Sequence, residues 1–148
     1  MAKEIERKFL VEDDSFKEMA VSSEDIEQGY LCTDPDSTVR VRIKGKRAYI
    51  TVKSRNQGAV RNEWEYQIPE DDAHEMLECC RGILGKRRYI VPYDGLVWEV
   101  DVFRGRHSGL VLAEVELDRE DARVSLPPFV GVEVTGDPRY YNSVLSEN

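Results

Sequence analysis

The chain is short of the residues from which disulfide scaffolds, zinc sites and membrane spans are built. Its 148 residues include three cysteines and two histidines. Cys32, Cys79 and Cys80 are odd in number, and two of them are adjacent in a segment that reads as helix, so reduced, partly buried thiols are expected in place of a disulfide framework. With only His74 and His107, and no CxxC pair, a tetrahedral zinc site has no ligand set, so any metal here must be held by oxygen. No stretch approaches the roughly 18 uninterrupted apolar residues that a membrane span needs, and Met1-Ala2-Lys3-Glu4 carries no apolar signal-peptide core. A soluble, cytoplasmic protein with no membrane partner is expected. Basic charge is not in excess either: the net charge is −8, and a nonspecific binder of nucleic acid needs a basic face to displace counterions, so no nucleic-acid partner is expected. Internal repeats, linkers and low-complexity segments are missing.

What is present fits one domain over residues 1–148, long enough to bury its own core at 41% hydrophobic content. Short runs rich in β-branched and aromatic residues predict strands at about 3 to 11, 28 to 33, 38 to 44, 47 to 54, 62 to 69, 85 to 92, 97 to 103, 110 to 118 and 130 to 134. Gly45-Lys46, the loop with Gly58, Asp94-Gly95 and the segment from Gly105 to Gly109 fall between consecutive strands, which implies a mainly antiparallel sheet. Helix is predicted over 70 to 81, which opens with acidic residues and stops before Gly82, and again after Pro138, where Tyr141 and Leu145 form an apolar edge.

Charge is ordered within those strands. Side chains alternate faces along a strand, and in one strand after another the apolar residues take one parity and the charged residues the other. Glu4, Glu6 and Lys8 share a face, as do Arg40, Arg42 and Lys44; Thr51, Lys53 and Arg55; Glu63 and Glu65; Lys86 and Arg88; Glu99 and Asp101; Glu114 and Glu116. A one-sided sheet in water would give the same parity. It would not give the segregation of sign: same-face neighbours about 6.5 to 7 Å apart along a strand are like-charged in nearly every segment, and such neighbours repel. The pattern becomes reasonable if the charged faces converge on an object that carries both signs. A polyphosphate with divalent cations is one, because Lys and Arg clamp phosphate oxygens while carboxylates grip hard metal ions. The charged face would then line a closed barrel, with its apolar outside covered by the helices at 70 to 81 and after Pro138.

Glu4-x-Glu6-x-Lys8 resembles the ExExK signature of the CYTH domain, or triphosphate tunnel metalloenzyme, family. The resemblance continues through Val39-Arg40-Val41-Arg42, Thr51-x-Lys53, Glu63-x-Glu65, Lys86-x-Arg88, Glu99-x-Asp101, Glu114-x-Glu116, Glu133-Val134-Thr135 and Arg139-Tyr140-Tyr141-Asn142. It implies a mainly β fold, an eight-stranded antiparallel closed barrel with a few flanking helices. It also implies binding of a small-molecule triphosphate with Mg²⁺ or Mn²⁺. Among the members of this family the chain looks most like the bacterial inorganic triphosphatases, so hydrolysis of tripolyphosphate to diphosphate and phosphate by water is the expected activity.

By motif position, Glu4, Glu6 and Glu116 are expected to hold the principal metal. Asp101 and Glu114 lie on motifs suited to a second metal or to positioning the attacking water, with Lys8 beside them. Lys8, Arg40, Arg42, Lys53, Lys86 and Arg88 are expected to cradle the phosphates. Glu63, Glu65 and Glu99 are further candidates, each of which could instead pair with a neighbouring Arg or Lys. Lys44, Lys46, Arg47, Arg87 and Arg7 read as external, and Tyr30, Tyr140 and Tyr141 as packing residues. A class IV adenylate cyclase acting on ATP and a noncatalytic polyphosphate- or nucleotide-binding module remain alternatives. A homodimer is also open.

Overall fold

Alternation of apolar and charged residues specifies a sheet with one dry face and one charged face, and the sheet satisfies both by closing on itself. A computed structural model of the chain describes residues 2–147. Among the described residues the strands are β1 (Ala2–Val11), β2 (Ser22–Cys32), β3 (Ser37–Lys44), β4 (Arg47–Ser54), β5 (Val60–Ile68), β6 (Ile83–Tyr93), β7 (Leu96–Phe103), β8 (Val111–Glu116) and β9 (Val130–Glu133). They pair in the order β5-β4-β3-β2-β6-β7-β8-β1-β9, and a further pairing of β5 with β1 closes β1 to β8 into an antiparallel barrel. β1 makes the closure by sharing one edge: Ala2 to Ile5 pair with β5, Phe9 and Val11 pair with β9, and the opposite edge pairs with β8 from Glu6 to Leu10. The β6–β7 reversal has φ of 48° at Asp94 and 80° at Gly95, the left-handed pair that a two-residue hairpin needs.

The outer face is covered in two places. Helix α2 (Glu70–Glu78) lays Ala73 and Leu77 on Val41, Ile43 and Ala48 of β3 and β4. Over β1, β6, β7 and β8, the cover is Phe16 of the short helix α1 (Phe16–Met19) together with the segment after β8, through Leu117 and Phe129. Trp98 is the largest fully buried side chain there, with its ring 5.5 Å from that of Phe9.

The C-terminal helix does something other than the expected covering of the outside. Helix α3 (Asn142–Leu145) packs Leu145 against Leu84, Phe103 and Leu112. These have the same parity as Lys86, Asp101 and Glu114, so they point into the barrel and form an apolar floor at one end. Gly82, read from the sequence as a helix stop, is also a docking point: a Cβ on it would lie 2.0 Å from the Ser146 carbonyl oxygen. Among the described residues no helix is long and apolar enough to cross a membrane.

Candidate active site

Above the apolar floor the inward side chains enclose a cavity of about 240 Å³. Strand register decides who meets whom. Glu6 stands opposite Glu116 and Lys8 opposite Glu114 across β1 and β8; Glu99 stands opposite Glu114 across β7 and β8; Arg88 stands opposite Asp101 across β6 and β7. Glu4, Glu6, Lys8, Arg40, Arg42, Lys53, Glu63, Glu65, Arg88, Glu99, Glu114 and Glu116 all line this one cavity. Carboxylates of β1, β7 and β8 therefore face cations contributed mainly by β3, β4 and β6.

The arginines of β3 are the clearest sign of an anion site. Arg40 and Arg42 are 6% and 8% exposed. Arg42 donates from Nε to Gln28 Oε1 at 2.9 Å and makes no ion pair among the described residues. Burial and the nearby charges of Arg40 and Arg88 push its pKa down to about 9, so its charge costs more here than in water. Arg40 leaves its buried Nε without a hydrogen-bond partner and reaches Thr51 at 3.2 Å and Glu65 at 3.5 Å. Buried cations that line a cavity and are not fully paired by the protein call for an anion.

Lys86 and Asp101 lie beneath the cavity wall, 0% and 2% exposed. Asp101 takes a forked pair from Arg88 at 2.7 and 2.8 Å and a third contact from Lys86 at 2.8 Å. Although burial alone would raise its pKa, Arg88 and Lys86 hold it well below the usual carboxylate range. Both oxygens are thus taken, which departs from the expected place at a second metal or an attacking water. In this structure Asp101 fixes the two basic side chains of β6. Lys86 also reaches Asn142 Oδ1 at 3.0 Å, and burial lowers its pKa to about 7 against the support of Asp101.

Carboxylates crowd one another along the acidic bank. Lys53 reaches Glu4 and Glu63 at 3.2 Å each, and Lys8 lies 3.5 Å from Glu114. Burial followed by the charges of Glu114 and Glu4 raises the Glu6 pKa to about 8, so near neutral pH this carboxyl keeps its proton and donates it to Glu114. Glu114 is pulled the other way: burial would raise it, but Lys8, the Glu6 hydrogen bond and Arg88 hold it well below its ordinary value. Burial and the charges of Glu4 and Glu99 raise Glu116, which sits exposed at the mouth.

No group of three potential ligands is already drawn together among the described residues. The donors themselves suit a hard divalent cation: all are oxygens, Glu6 and Glu116 stand directly opposed, and a cation would take the place of the Glu6 proton.

A pH dependence follows. Glu6 binds its proton more tightly in the folded state than its ordinary value of 4.5 allows, so its contribution is fully present below that value and is lost as pH rises toward about 8. Glu4, lowered to about 2, acts oppositely and is lost only as pH falls below 4.5. Lys86, lowered from 10.5 to about 7, adds stability only as pH rises from about 7 toward 10.5. Metal-free protein is therefore expected to melt at lower temperature at about pH 7 than at about pH 5. Melting scans in chelator check this, and a rise over that interval would contradict it.

Two placements were not expected. Lys44 lines the cavity mouth, paired with Glu24 at 3.4 Å, although it reads as external. Arg61 also faces inward, and its parity with Glu63 and Glu65 was the available signal; starting β5 at 62 hid it. Tyr30 and Tyr141 line the cavity while hydrogen-bonded to Gln28 and Gly136. Arg7 and Arg87 lie outside as expected, paired with Glu133 and Asp25.

Comparison with known proteins agrees with this architecture. The sequence profile of the CYTH domain matches residues 2–141. An inorganic triphosphatase of Acetivibrio thermocellus is 46% identical over 150 residues, covering 100% of this chain and 96% of that protein. One from Nitrosomonas europaea is 40% identical over 149 residues, covering 97% and 96%. The crystal structure of the inorganic triphosphatase NE1496 superposes with a TM-score of 0.70 at 36% identity, covering 100% of this chain and 97% of that one.

Proposed function

Since this chain belongs to the CYTH domain family, we propose that it is a triphosphatase that hydrolyses inorganic tripolyphosphate to diphosphate and phosphate with the help of Mg²⁺ or Mn²⁺. The observation that carries the proposal is the pair of buried arginines on β3, Arg40 with its Nε unpartnered and Arg42 with no ion pair among the described residues, which share one cavity with a bank of carboxylates. A chain of phosphates fills such a space with the correct sign on both sides.

In this reading Arg40, Arg42, Lys53, Arg88 and Lys8 hold the phosphate oxygens, the arginines through forked contacts. Lys86 supports the same wall from below. Glu4, Glu6 and Glu116 would hold the divalent cation, and the chemistry it would supply there is withdrawal of charge from the phosphates. Phosphoryl transfer through a loose transition state asks mainly for positioning and charge stabilisation, so no covalent nucleophile is needed. Glu114, kept ionised against its burial by Lys8 and Arg88, accepts a hydrogen bond from the attacking water and aims it in line. Asp101 serves as a positioning residue through Lys86 and Arg88. Glu63 pairs with Lys53 at 3.2 Å, Glu65 with Arg40 at 3.5 Å and Glu99 with Arg88 at 3.2 Å, so these three tune the clamp.

The test gives purified protein tripolyphosphate, ATP or thiamine triphosphate with Mg²⁺ or Mn²⁺ and follows phosphate and cyclic AMP. Phosphate release is expected to be fastest from tripolyphosphate and to vanish in chelator. Cyclic AMP from ATP would overturn the hydrolase, and binding without turnover under either metal would make the barrel a binding module.

A further inference from the structure

Arg61 and Lys44 are cavity cations to which the chemistry above gives no part, and the position of Arg61 is specific. It stands directly across from Glu4 in the β1–β5 register. Its Nε donates to Glu4 Oε1 at 2.9 Å, and its Nη2 lies 3.6 Å from Glu6 Oε1. The guanidinium fork thus spans the two carboxylates assigned to the divalent cation. Lys53 also touches Glu4, but its other ion pair is with Glu63 and not with Glu6.

A guanidinium keeps its charge under all ordinary conditions, so Arg61 cannot make way for a second cation by losing a proton. A divalent ion bound through the same oxygens would face its full repulsion, and Arg61 must move before those oxygens can coordinate. Its side chain is 22% exposed and lies one residue from the start of β5, so it has room to turn. The only large anion expected there is the phosphate chain.

We propose that Arg61 is a built-in competitor for the divalent cation: it bridges Glu4 and Glu6 in the metal-free protein, releases them when the cation arrives, and turns to the phosphate chain. This rests on the reading of Glu4 and Glu6 as metal ligands. The consequence is coupling. Metal alone binds against the Arg61 bridge, whereas a phosphate chain offers Arg61 a new partner and thereby raises metal affinity. Arg61 then compensates the buried Glu4 charge in the metal-free barrel while favouring cations that arrive together with substrate.

The experiment is Mn²⁺ titration of the full chain without any phosphate, with free Mn²⁺ read by electron paramagnetic resonance. Arg61→Gln is expected to bind Mn²⁺ about tenfold or more tighter than the unaltered protein, the equivalent of losing one charge-assisted contact from the competing state. Arg61→Lys keeps the competing charge and should stay near the unaltered affinity. Melting scans give a second readout, in which the Mn²⁺-induced rise should be larger for Arg61→Gln. Equal or weaker Mn²⁺ binding by Arg61→Gln would overturn the proposal and leave Arg61 a structural ion pair. Glu6→Gln separates the two levels: if it binds Mn²⁺ as well as the unaltered protein, the ligand assignment fails with it.

Discussion

Glu6→Gln is expected to lower tripolyphosphate turnover by about a hundredfold or more while making the metal-free protein more stable at neutral pH. The two effects have one cause. In the folded chain the Glu6 carboxyl is pushed to about 8 by burial and by Glu114 and Glu4, so between its ordinary 4.5 and that value folding requires a proton the unfolded chain does not hold. Glutamine imitates the protonated acid, can still donate to Glu114, and never meets that requirement. A gain of about 1 to 3 kcal/mol at pH 7 is expected after allowance for partial exposure. It should shrink toward pH 5. What glutamine cannot supply is the anionic oxygen that a divalent cation needs. Activity at saturating metal and melting in chelator are the two measurements. A loss of both would make Glu6 a structural residue, and full activity would remove it from the metal site.

Asp101→Asn should have the largest effect on folding. Its carboxylate takes contacts of 2.7 and 2.8 Å from Arg88 and 2.8 Å from Lys86, with all three side chains nearly sealed from water. Removing one member of such a buried set leaves charge uncompensated and costs about 3 to 5 kcal/mol. In a chain of this size that lowers the melting temperature by roughly 6 to 20 °C. Turnover should fall as well, because Arg88 loses the contact that sets its direction. Calorimetry on the variant decides the matter, and an unchanged melting temperature would show that Lys86 and Arg88 are held by other means.

The barrel wall was legible because charge parity survives without tertiary information. Glu4, Glu6 and Lys8, or Glu114 and Glu116, announce which way each strand faces, and closure follows from having a charged face to enclose. Other parts were hidden for physical reasons. The first half of β2, Ser22 to Asp25, has little β propensity and is strand only because it pairs with Arg87 to Ile90 of β6. Helix α1 is four residues long, too short for a period, and is held by the burial of Phe16. Arg61 lies in the first turn-proximal residues of β5, before the run of β-forming residues that begins the strand in the sequence pattern. The place of Asp101 depends on a contact across the β6–β7 hairpin, and the two-residue turn at Asp94-Gly95 does specify the Arg88 to Asp101 register. The floor of the barrel was not legible at all, since Leu84, Phe103 and Leu112 meet Leu145 only through the return of the C-terminus.

The central claim is that water attacks a terminal phosphorus of a phosphate chain held in this cavity. Phosphorus NMR of tripolyphosphate turned over with Mg²⁺ in ¹⁸O-labelled water tests it most directly. Equal amounts of phosphate and diphosphate should form, with the isotope in the released phosphate. Label confined to diphosphate would contradict the terminal attack, and an absence of cleavage would contradict the enzyme.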